Sequence, residues 1–454
     1  MMDNMLFADL SKGKTYRKTV SKELRKGFLG DRGINARLLW DLIDKPGIDC
    51  FDSANVLIFG TGPLTGTIVP CCGRSSVTCI GAETNLYLKT GVGGQWSAEL
   101  RFAGYDHLVL QGASKKPVYL LVDDENVEIR DAKDLWGMDV RDTTRILKEE
   151  LGDESVKIAC IGPAGENLVR FASVSCDIYH SASRGGAGAV MGSKNLKAIA
   201  VRGTGHIPVK EPSKLYDVAM DIRAALAKDP AAMHLHLYGT SGSMPAKNKV
   251  YSMAGRNWTV PHVEDPYPIS GQRLVEEGYL VRRGGCFGCN IGCMRYAVVR
   301  SGPYAGTHTG GLQLVAWSTF GAGIDVYDLE FIIKANDLCD VLGLDQSSAG
   351  HAIEWAMECY QRGVLSKQDT DGVDLRFGNA EAVINLLPKI ARREGRLADI
   401  LAEGAYRAAK KVGKGSWKWV ASNSKGLPTT RADQRVSKAY ALAFAVNPRG
   451  SDHL

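Results

Sequence analysis

The stretch Gly162-Pro163-Ala164-Gly165, followed by Arg184-Gly185-Gly186 and then by Lys194, Lys197 and the apolar run Ala198-Ile199-Ala200-Val201-Arg202 ending at Gly203, repeats an order met earlier in the chain. There Gly62-Pro63-Leu64-Thr65-Gly66 leads to Gly93-Gly94, then Arg101-Phe102, then His107-Leu108-Val109-Leu110-Gln111 ending at Gly112. A Gly-Pro turn, a Gly-Gly turn, a basic residue, a strand and a glycine thus occur twice. Two copies in a glycine-rich segment are also compatible with chance. A true repeat builds two related halves and sets two similar turns facing one site.

Outward from these turns, residues 1–205 read as strands. Val56–Phe59, His107–Leu110, Val118–Val122 and Ala198–Val201 are short apolar runs, most of them bounded by Gly, Pro or charge, as buried strands are. Val140–Leu151 carries a helical pattern. His206–Pro212 reads as a linker. Beyond it, Ser213–Leu226, Leu329–Leu342, Ala349–Arg362, Glu381–Glu394 and Ala398–Val412 space apolar residues by three and four, which predicts amphipathic helices. Ser213 and Asp328 suit N-caps, and Gly343, Gly363, Gly395 and Gly413 suit helix ends. Pro388 is expected to kink or interrupt its helix. Residues 228–285, with five prolines, read as an irregular covering layer. Strands followed by helices predict an α+β fold: a β-rich base over 1–208, a mainly helical domain over 209–420, and the start of a further helical domain over 421–454.

The 454 residues exceed one ordinary core, and 44% hydrophobic with 23% charged residues is a globular composition. The net charge of +6 is scattered rather than blocked, so no nucleic-acid surface is expected. No run reaches the ~18 apolar residues of a membrane span, and the first residues lack a basic patch followed by an apolar run. Eleven cysteines without an even framework fit a reducing compartment. A cytoplasmic location is therefore expected.

Three of those cysteines stand in Gly284-Gly285-Cys286-Phe287-Gly288-Cys289-Asn290-Ile291-Gly292-Cys293. Thiolates at this spacing, each preceded by glycine, suit three ligands of a [4Fe–4S] cluster, whose usual set is four. A zinc knuckle or three unrelated thiols are the alternatives, although zinc sites more often show two separated pairs. Cys339, in a predicted helix, is a minor candidate for the fourth ligand. The remaining thiols read as small buried hydrophobes, and Trp96, Trp258 and Trp317 as core or pocket wall.

Arg74, in Pro70-Cys71-Cys72-Gly73-Arg74, and Arg184, opening Gly185-Gly186, are candidate anion clamps, since a guanidinium fork matches a phosphate. Solvated loop arginines are the plain alternative. Asp340-Val341-Leu342-Gly343-Leu344-Asp345 places two carboxylates at a helix end, where they are disfavoured. They are either solvated or hold a donor-rich ligand such as a pterin ring. His453 has the chemistry of a proton donor or acceptor, set against fraying near a chain end.

Taken together, these residues resemble the aldehyde ferredoxin oxidoreductase family of tungsten (or molybdenum) pterin enzymes. The resemblance is carried by Phe28–Gly33, Gly62–Gly66 with Arg74, Ala103–Asp106, Arg184–Lys194, the cysteine triplet, Asp340–Asp345, Lys425-Gly426-Leu427, and Arg449-Gly450 before His453. It implies a tungsten bis-pterin on a base of two related halves, a magnesium ion between the pterin phosphates, and a [4Fe–4S] cluster passing electrons to ferredoxin. By it, Arg74 and Arg184 face the phosphates, and Gly93, Gly185 and Gly186 offer backbone to the cofactor. Asp340, Leu344 and Asp345 meet one pterin ring, Cys286, Cys289 and Cys293 hold the cluster, and His453 is the acid/base group. The implied reaction oxidises a small aldehyde to a carboxylate. Ferredoxin or an iron–sulfur subunit is the implied partner, in a homodimer or hetero-oligomer.

Three departures qualify the resemblance. The family's fourth cysteine lies in a second Asp-x-x-Gly-Leu-Cys motif that this sequence does not reach, so a C-terminally truncated chain is expected. His308-Thr309-Gly310-Gly311 stands where aldehyde-oxidising members carry an acidic Glu-Tyr-Glu-Thr stretch. Gly91-Val92-Gly93 replaces an asparagine, leaving a magnesium contact there to backbone. The second departure brings in the tungsten subunit of benzoyl-CoA reductase as an alternative, and a non-catalytic scaffold as another.

Overall fold

The computed structural model describes residues 4–421, 423–430 and 433–453. The chain divides into two compact units. The first takes residues through Leu168, Ala172–Met233 and Gly285–Gly292, and the second takes Val169–Phe171, His234–Gly284 and the chain from Cys293 on.

The first unit is built on two six-stranded sheets. The first sheet is formed by β1 (Asn4–Asp9), β2 (Lys14–Thr19), β3 (Leu57–Thr61), β4 (Ser75–Ile80), β5 (Tyr87–Val92) and β6 (His107–Gln111), in the order β2-β1-β6-β3-β4-β5. The second is formed by β7 (Val118–Asp123), β8 (Asn126–Asp131), β9 (Lys157–Cys160), β10 (Val174–Cys176), β11 (His180–Ala182) and β12 (Leu196–Arg202). Read from its opposite edge, its order is β8-β7-β12-β9-β10-β11. That is the first sheet's order, strand for strand. In both, the first and last strands of the half pair in parallel, β1 with β6 and β7 with β12, while their other pairings are antiparallel. The twofold echo in the sequence is therefore a duplicated sheet.

The echo's members occupy matching places. Each Gly-Pro turn follows the third strand of its half, and each Gly-Gly turn follows the fifth. The basic residues hold the Gly-Pro turns. Arg101 Nη1 donates to the carbonyls of Gly62 (2.7 Å) and Pro63 (3.1 Å), and its Nε pairs with Asp106 at 3.1 Å. Lys197 pairs with Glu166, at the end of the helical turn Pro163–Glu166, and donates to Met138 O at 2.7 Å. All four charged groups are buried, where loss of one partner costs about 3–5 kcal/mol. Glycine lets the helix Ala187–Ser193 press onto its neighbours: a Cβ on Gly188 would stand 2.2 Å from Ser173 O, and one on Gly192 2.0 Å from Gly165 O.

The second unit is mainly helical. Leu329–Leu342 begins with Asp328 capping the backbone of Glu330 and Phe331, and ends at Gly343 in the left-handed region (φ 73°). Both ends agree with the sequence reading. Gln346–Gln361 follows, then Ala380–Arg392, which runs through Pro388 without interruption. The helix expected over Ala398–Val412 is two, Arg396–Leu401 and Ala405–Val412, because Gly404 (φ 79°) breaks the turn between them. Gly395 opens the first of these rather than closing the helix before it. In the first unit, the helix expected from Ser213 starts one residue earlier, with Pro212 in its first turn and Glu211 before it. Residues 228–285 are more regular than expected: Pro230–Tyr238, Met244–Lys249 and Gly271–Glu276 are helical. Proline there opens helices, where its missing N–H costs nothing. Trp96 and Trp317 are fully buried, with their indole N–H groups on Ile199 O and Leu312 O.

Candidate cofactor and cluster site

In the first unit, the segment Gly285–Gly292 lies against the first sheet's turns. Phe287 N donates to Gly94 O at 3.0 Å, and Gln95 Nε2 to Gly285 O at 3.3 Å. The fit is tight at both loops. A Cβ on Gly93 would stand 2.6 Å from Cys286 Sγ, and one on Gly73 2.9 Å from Phe287 N. Arg223 ties the same two loops from the far side, its Nη2 donating to Ile68 O (3.1 Å) and Gly288 O (2.9 Å). Gly93 is thus brought to a predicted cluster thiol. Arg74 lies exposed beside them, its guanidinium 3.2 Å from where a Cβ of Gly91 would be.

Two thiols that the sequence reading took as small buried hydrophobes sit in the turn between, Cys71 exposed and Cys72 only half-buried. Cys71, at φ 63°, has its Sγ 3.7 Å from that of Cys289. Burial, then the neighbouring Cys289, Cys72 and Cys286, push its pKa up to about 11. Cys72 instead turns its sulfur to Pro70 O, at 3.4 Å. Pro70-Cys71-Cys72-Gly73 directly before a candidate clamp arginine was the available signal, but nothing local says which loop the turn faces.

The second Gly-Gly turn has both glycines in the left-handed region, Gly185 at φ 91° and Gly186 at φ 83°, behind the buried Arg184. A Cβ on Gly185 would meet Leu88 of β5 at 2.4 Å, so this turn packs on the first half. Asp177 and His180, also missed in the sequence, join the Gly93-Gly94 turn. Asp177 Oδ2 accepts from Gln95 N at 2.9 Å, and the His180 ring lies 3.2 Å from where Cβ atoms of Gly93 and Gly94 would stand. Burial lowers the His180 pKa, against the pull of Asp177 and with a further push from Arg74.

In the second unit, Asp340 is buried and its Oδ2 accepts from Thr309 Oγ1 (3.0 Å) and Asn336 Nδ2 (2.8 Å). Thr309 belongs to the stretch that stands where the acidic one is expected, and its hydroxyl reaches the Asp340 carboxylate. Asp345 is the N-cap of Gln346–Gln361, accepting from Ser348 N (3.0 Å) and Ser348 Oγ (2.7 Å). The sequence reading took it as a carboxylate misplaced at a helix C-terminus. It serves the next helix's N-terminus, where a negative group is favoured. Leu344 is buried, its N–H on Cys339 O at 2.9 Å. Cys339 is itself fully buried, and burial with the nearby Asp340, Asp345 and Asp337 holds its thiol well above the ordinary pKa. That setting disfavours a thiolate. Arg295, fully buried, donates to Cys293 O and, at 3.2 Å, to Leu235 O, which puts a cation beside the third predicted thiolate.

The end of the described chain is held. Lys425 Nζ donates to Asn447 O (3.0 Å) and Pro448 O (3.2 Å), and Asn447 Nδ2 to Asp452 O (3.2 Å). Arg449 and Asp452 form a buried ion pair. His453 stacks on Phe444 at 6.3 Å, with Nδ1 3.3 Å from Thr430 Oγ1 and its backbone N–H on Asp452 Oδ1 at 2.7 Å.

Among the described residues, no three His, Cys, Asp or Glu side chains converge closely enough to hold a single metal ion. Ligands of a four-iron cluster need not do so, because each iron takes one cysteine. Among the described residues, no helix is long and apolar enough to cross a membrane.

Similarity to known proteins runs along nearly the whole chain. Residues 5–203 match the family described as aldehyde ferredoxin oxidoreductase, N-terminal domain, and residues 217–454 match its domains 2 and 3. The chain is 41% identical over 454 residues to the tungsten-containing aldehyde ferredoxin oxidoreductase of Pyrococcus horikoshii, covering 99% of this chain and 73% of that protein. It is 31% identical over 471 residues to the WOR-like subunit of the aliphatic sulfonate oxidoreductase of Pyrococcus furiosus, covering 99% and 74%. Among solved structures, the active-site complex of a benzoyl coenzyme A reductase with 1,5-dienoyl-CoA matches with a TM-score of 0.86 at 29% identity, over 99% of this chain and 69% of that one.

Proposed function

The chain belongs to the aldehyde ferredoxin oxidoreductase family, and from that premise we propose that it oxidises an aldehyde to a carboxylate at a tungsten (or molybdenum) bis-pterin centre, with ferredoxin or an iron–sulfur subunit as electron acceptor. Aldehyde and water give carboxylate, three protons and two electrons. The metal and its pterins supply the redox chemistry, while the protein binds, orients and tunes them. The observation that carries this reading is the packing of the cysteine segment onto the Gly93-Gly94 turn. It supports the reading by bringing Cys286 and the Cys289 loop against the part of the base that also presents Arg74.

In this reading Arg74 and Arg184 bind the pterin phosphates, whose charge magnesium shares, and Gly93, Gly185 and Gly186 let backbone approach the cofactor. Asp340, Leu344 and Asp345 meet a pterin ring. Asp345 keeps its capping bonds to Ser348, and Asp340 is held by Thr309 and Asn336. Cys286, Cys289 and Cys293 hold a [4Fe–4S] cluster, with the Arg295 guanidinium offsetting its negative charge. His453, fixed by stacking and by Thr430, holds or releases a proton as the substrate reacts.

A specific observation supports a second reading. Thr309 stands where an acidic stretch is expected, and the solved neighbour works on an aromatic thioester. Metal analysis and turnover separate the possibilities. Tungsten or molybdenum with iron, and aldehyde-dependent viologen reduction, are expected. Turnover of aromatic CoA esters alone selects the second reading, and iron without tungsten or molybdenum leaves only a scaffold.

A further inference from the structure

The cysteine segment packs on the Gly93-Gly94 turn beside a histidine whose Nδ1 finds no partner in the polypeptide, and we infer that His180 donates a ring hydrogen bond to a sulfur of the iron–sulfur cluster held at Cys286. The inference rests on the cluster reading above and adds to it a residue that tunes the cluster without ligating it.

The first observation is an unmet hydrogen bond. His180 Nδ1 is buried and has no partner among the described residues. The core histidines differ: His107 Nδ1 is bonded to Asn35 Oδ1 at 2.8 Å, and His351 Nδ1 to Ser347 O at 2.7 Å. A buried nitrogen left unpaired costs about 1–3 kcal/mol, so a bound group that pairs with it is favoured.

Position says which group. The point where a Cβ of Gly93 would stand is 2.6 Å from Cys286 Sγ and 3.2 Å from His180 Cδ2, so thiol and ring edge flank one glycine. Nδ1 lies over Gly94 instead, 3.2 Å from where a Cβ there would be. A half-turn of the ring about its bond to Cβ exchanges Nδ1 with Cδ2. It sets the unpaired nitrogen on the Gly93 side, toward the sulfur. A neutral imidazole has the single N–H that this bond needs.

The backbone that delivers the ring is strained. His180 opens β11 after a turn in which Asp177 (φ 50°) and Ile178 (φ 68°) are both left-handed. That conformation is costly for a β-branched residue and persists where the surroundings impose it. Here Asp177 N donates to Ile158 O at 3.0 Å, and Asp177 Oδ2 accepts from Gln95 N at 2.9 Å, which pins the turn to the base. An N–H donated to a cluster sulfur stabilises the reduced, more negative cluster and raises its potential. No covalent bond is made or broken at the residue.

The test uses anaerobically isolated holoenzyme carrying nitrogen-15-labelled histidine, with His180→Phe and His180→Gln. Pulsed electron paramagnetic resonance of the reduced cluster reads coupling to a histidine nitrogen, and a redox titration reads the midpoint potential. The parent is expected to show the coupling and both variants to lose it. His180→Phe is expected to keep its iron and shift to a lower potential, and His180→Gln, whose amide still donates, to return part of the way. Should His180→Phe fail to hold iron, the parent's coupling and its loss in His180→Gln decide. A cluster-bearing parent with no histidine coupling, a coupling that survives in the variants, or a His180→Phe cluster at the parent's potential overturns this inference alone. A parent without iron overturns the cluster reading with it.

Discussion

The sulfur of Cys286 lies against Gly93 so closely that a Cβ on that glycine would stand 2.6 Å from it. The atom in the way is the end of a side chain, so the fold can accommodate a methyl group by turning the sulfur aside. Gly93→Ala is therefore expected to cost little stability, about 1 kcal/mol, and to lower iron uptake several-fold. Thermal melts of the iron-free protein set beside iron content per chain check both halves. A large drop in melting temperature with normal iron content contradicts it.

The Cys71–Cys289 pair offers a second handle. In iron-free protein the two thiols are close enough for side-chain rotation to join them. The oxidant diamide takes up two electrons and two protons as the disulfide forms. Peptide mapping is expected to find Cys71 joined to Cys289 in the iron-free chain and both free after cluster loading. Joining at equal yield in the two states rules out protection by the cluster.

Asp345 has a structural duty as well as its proposed one. Its carboxylate caps Gln346–Gln361, and Asp345→Ala is expected to destabilise the chain by about 1 kcal/mol even without cofactor. Asp345→Asn keeps an acceptor and is expected to lose less. Chemical denaturation of the cofactor-free variants decides it, and equal stability of Ala and parent removes the cap from the account.

His107 predicts a pH dependence. Its Nδ1 donates to Asn35 Oδ1 at 2.8 Å, while burial, with Arg25 and Arg101 nearby, holds its pKa down at about 3. The folded ring stays neutral where the unfolded one, near 6.5, takes a proton. The unfolded chain then binds more protons, so this contribution is present above about pH 6.5 and is lost as pH falls toward 3, by up to about 1.4 kcal/mol per unit. His107→Gln is expected to flatten the acid side of the stability curve in denaturant titrations. Unchanged slopes below pH 6 count against it.

Much of the architecture was legible because local patterns report local geometry. The strand runs, the helix Val140–Leu151 and the Asp328-to-Gly343 helix with both its caps follow from burial periodicity and capping chemistry. The order of turns even pointed to two halves, which the matching strand orders bear out. Boundaries governed by backbone at single residues were less legible. Gly404 splits a helix whose apolar period continues across it, and Asp345 at the end of one helix turns out to open the next.

By itself, then, the sequence determined the α+β fold, the family and the three spaced cysteines, since each is written in neighbouring residues or in their order, and it pointed to the duplicated base that the matching strand orders show. Only the tertiary structure decided which thiol stands beside that triplet, and which carboxylate the Thr309 hydroxyl reaches. Cys71 and Cys289 meet because β3 and β4 bring the Pro70–Arg74 turn back to the Gly93-Gly94 turn, where Gly285–Gly292 also packs. Asp340 reaches Thr309 because one turn of helix sets it beside Asn336 on the same face. Contacts between residues far apart in the chain depend on how sheets and helices pack, and no local pattern records that.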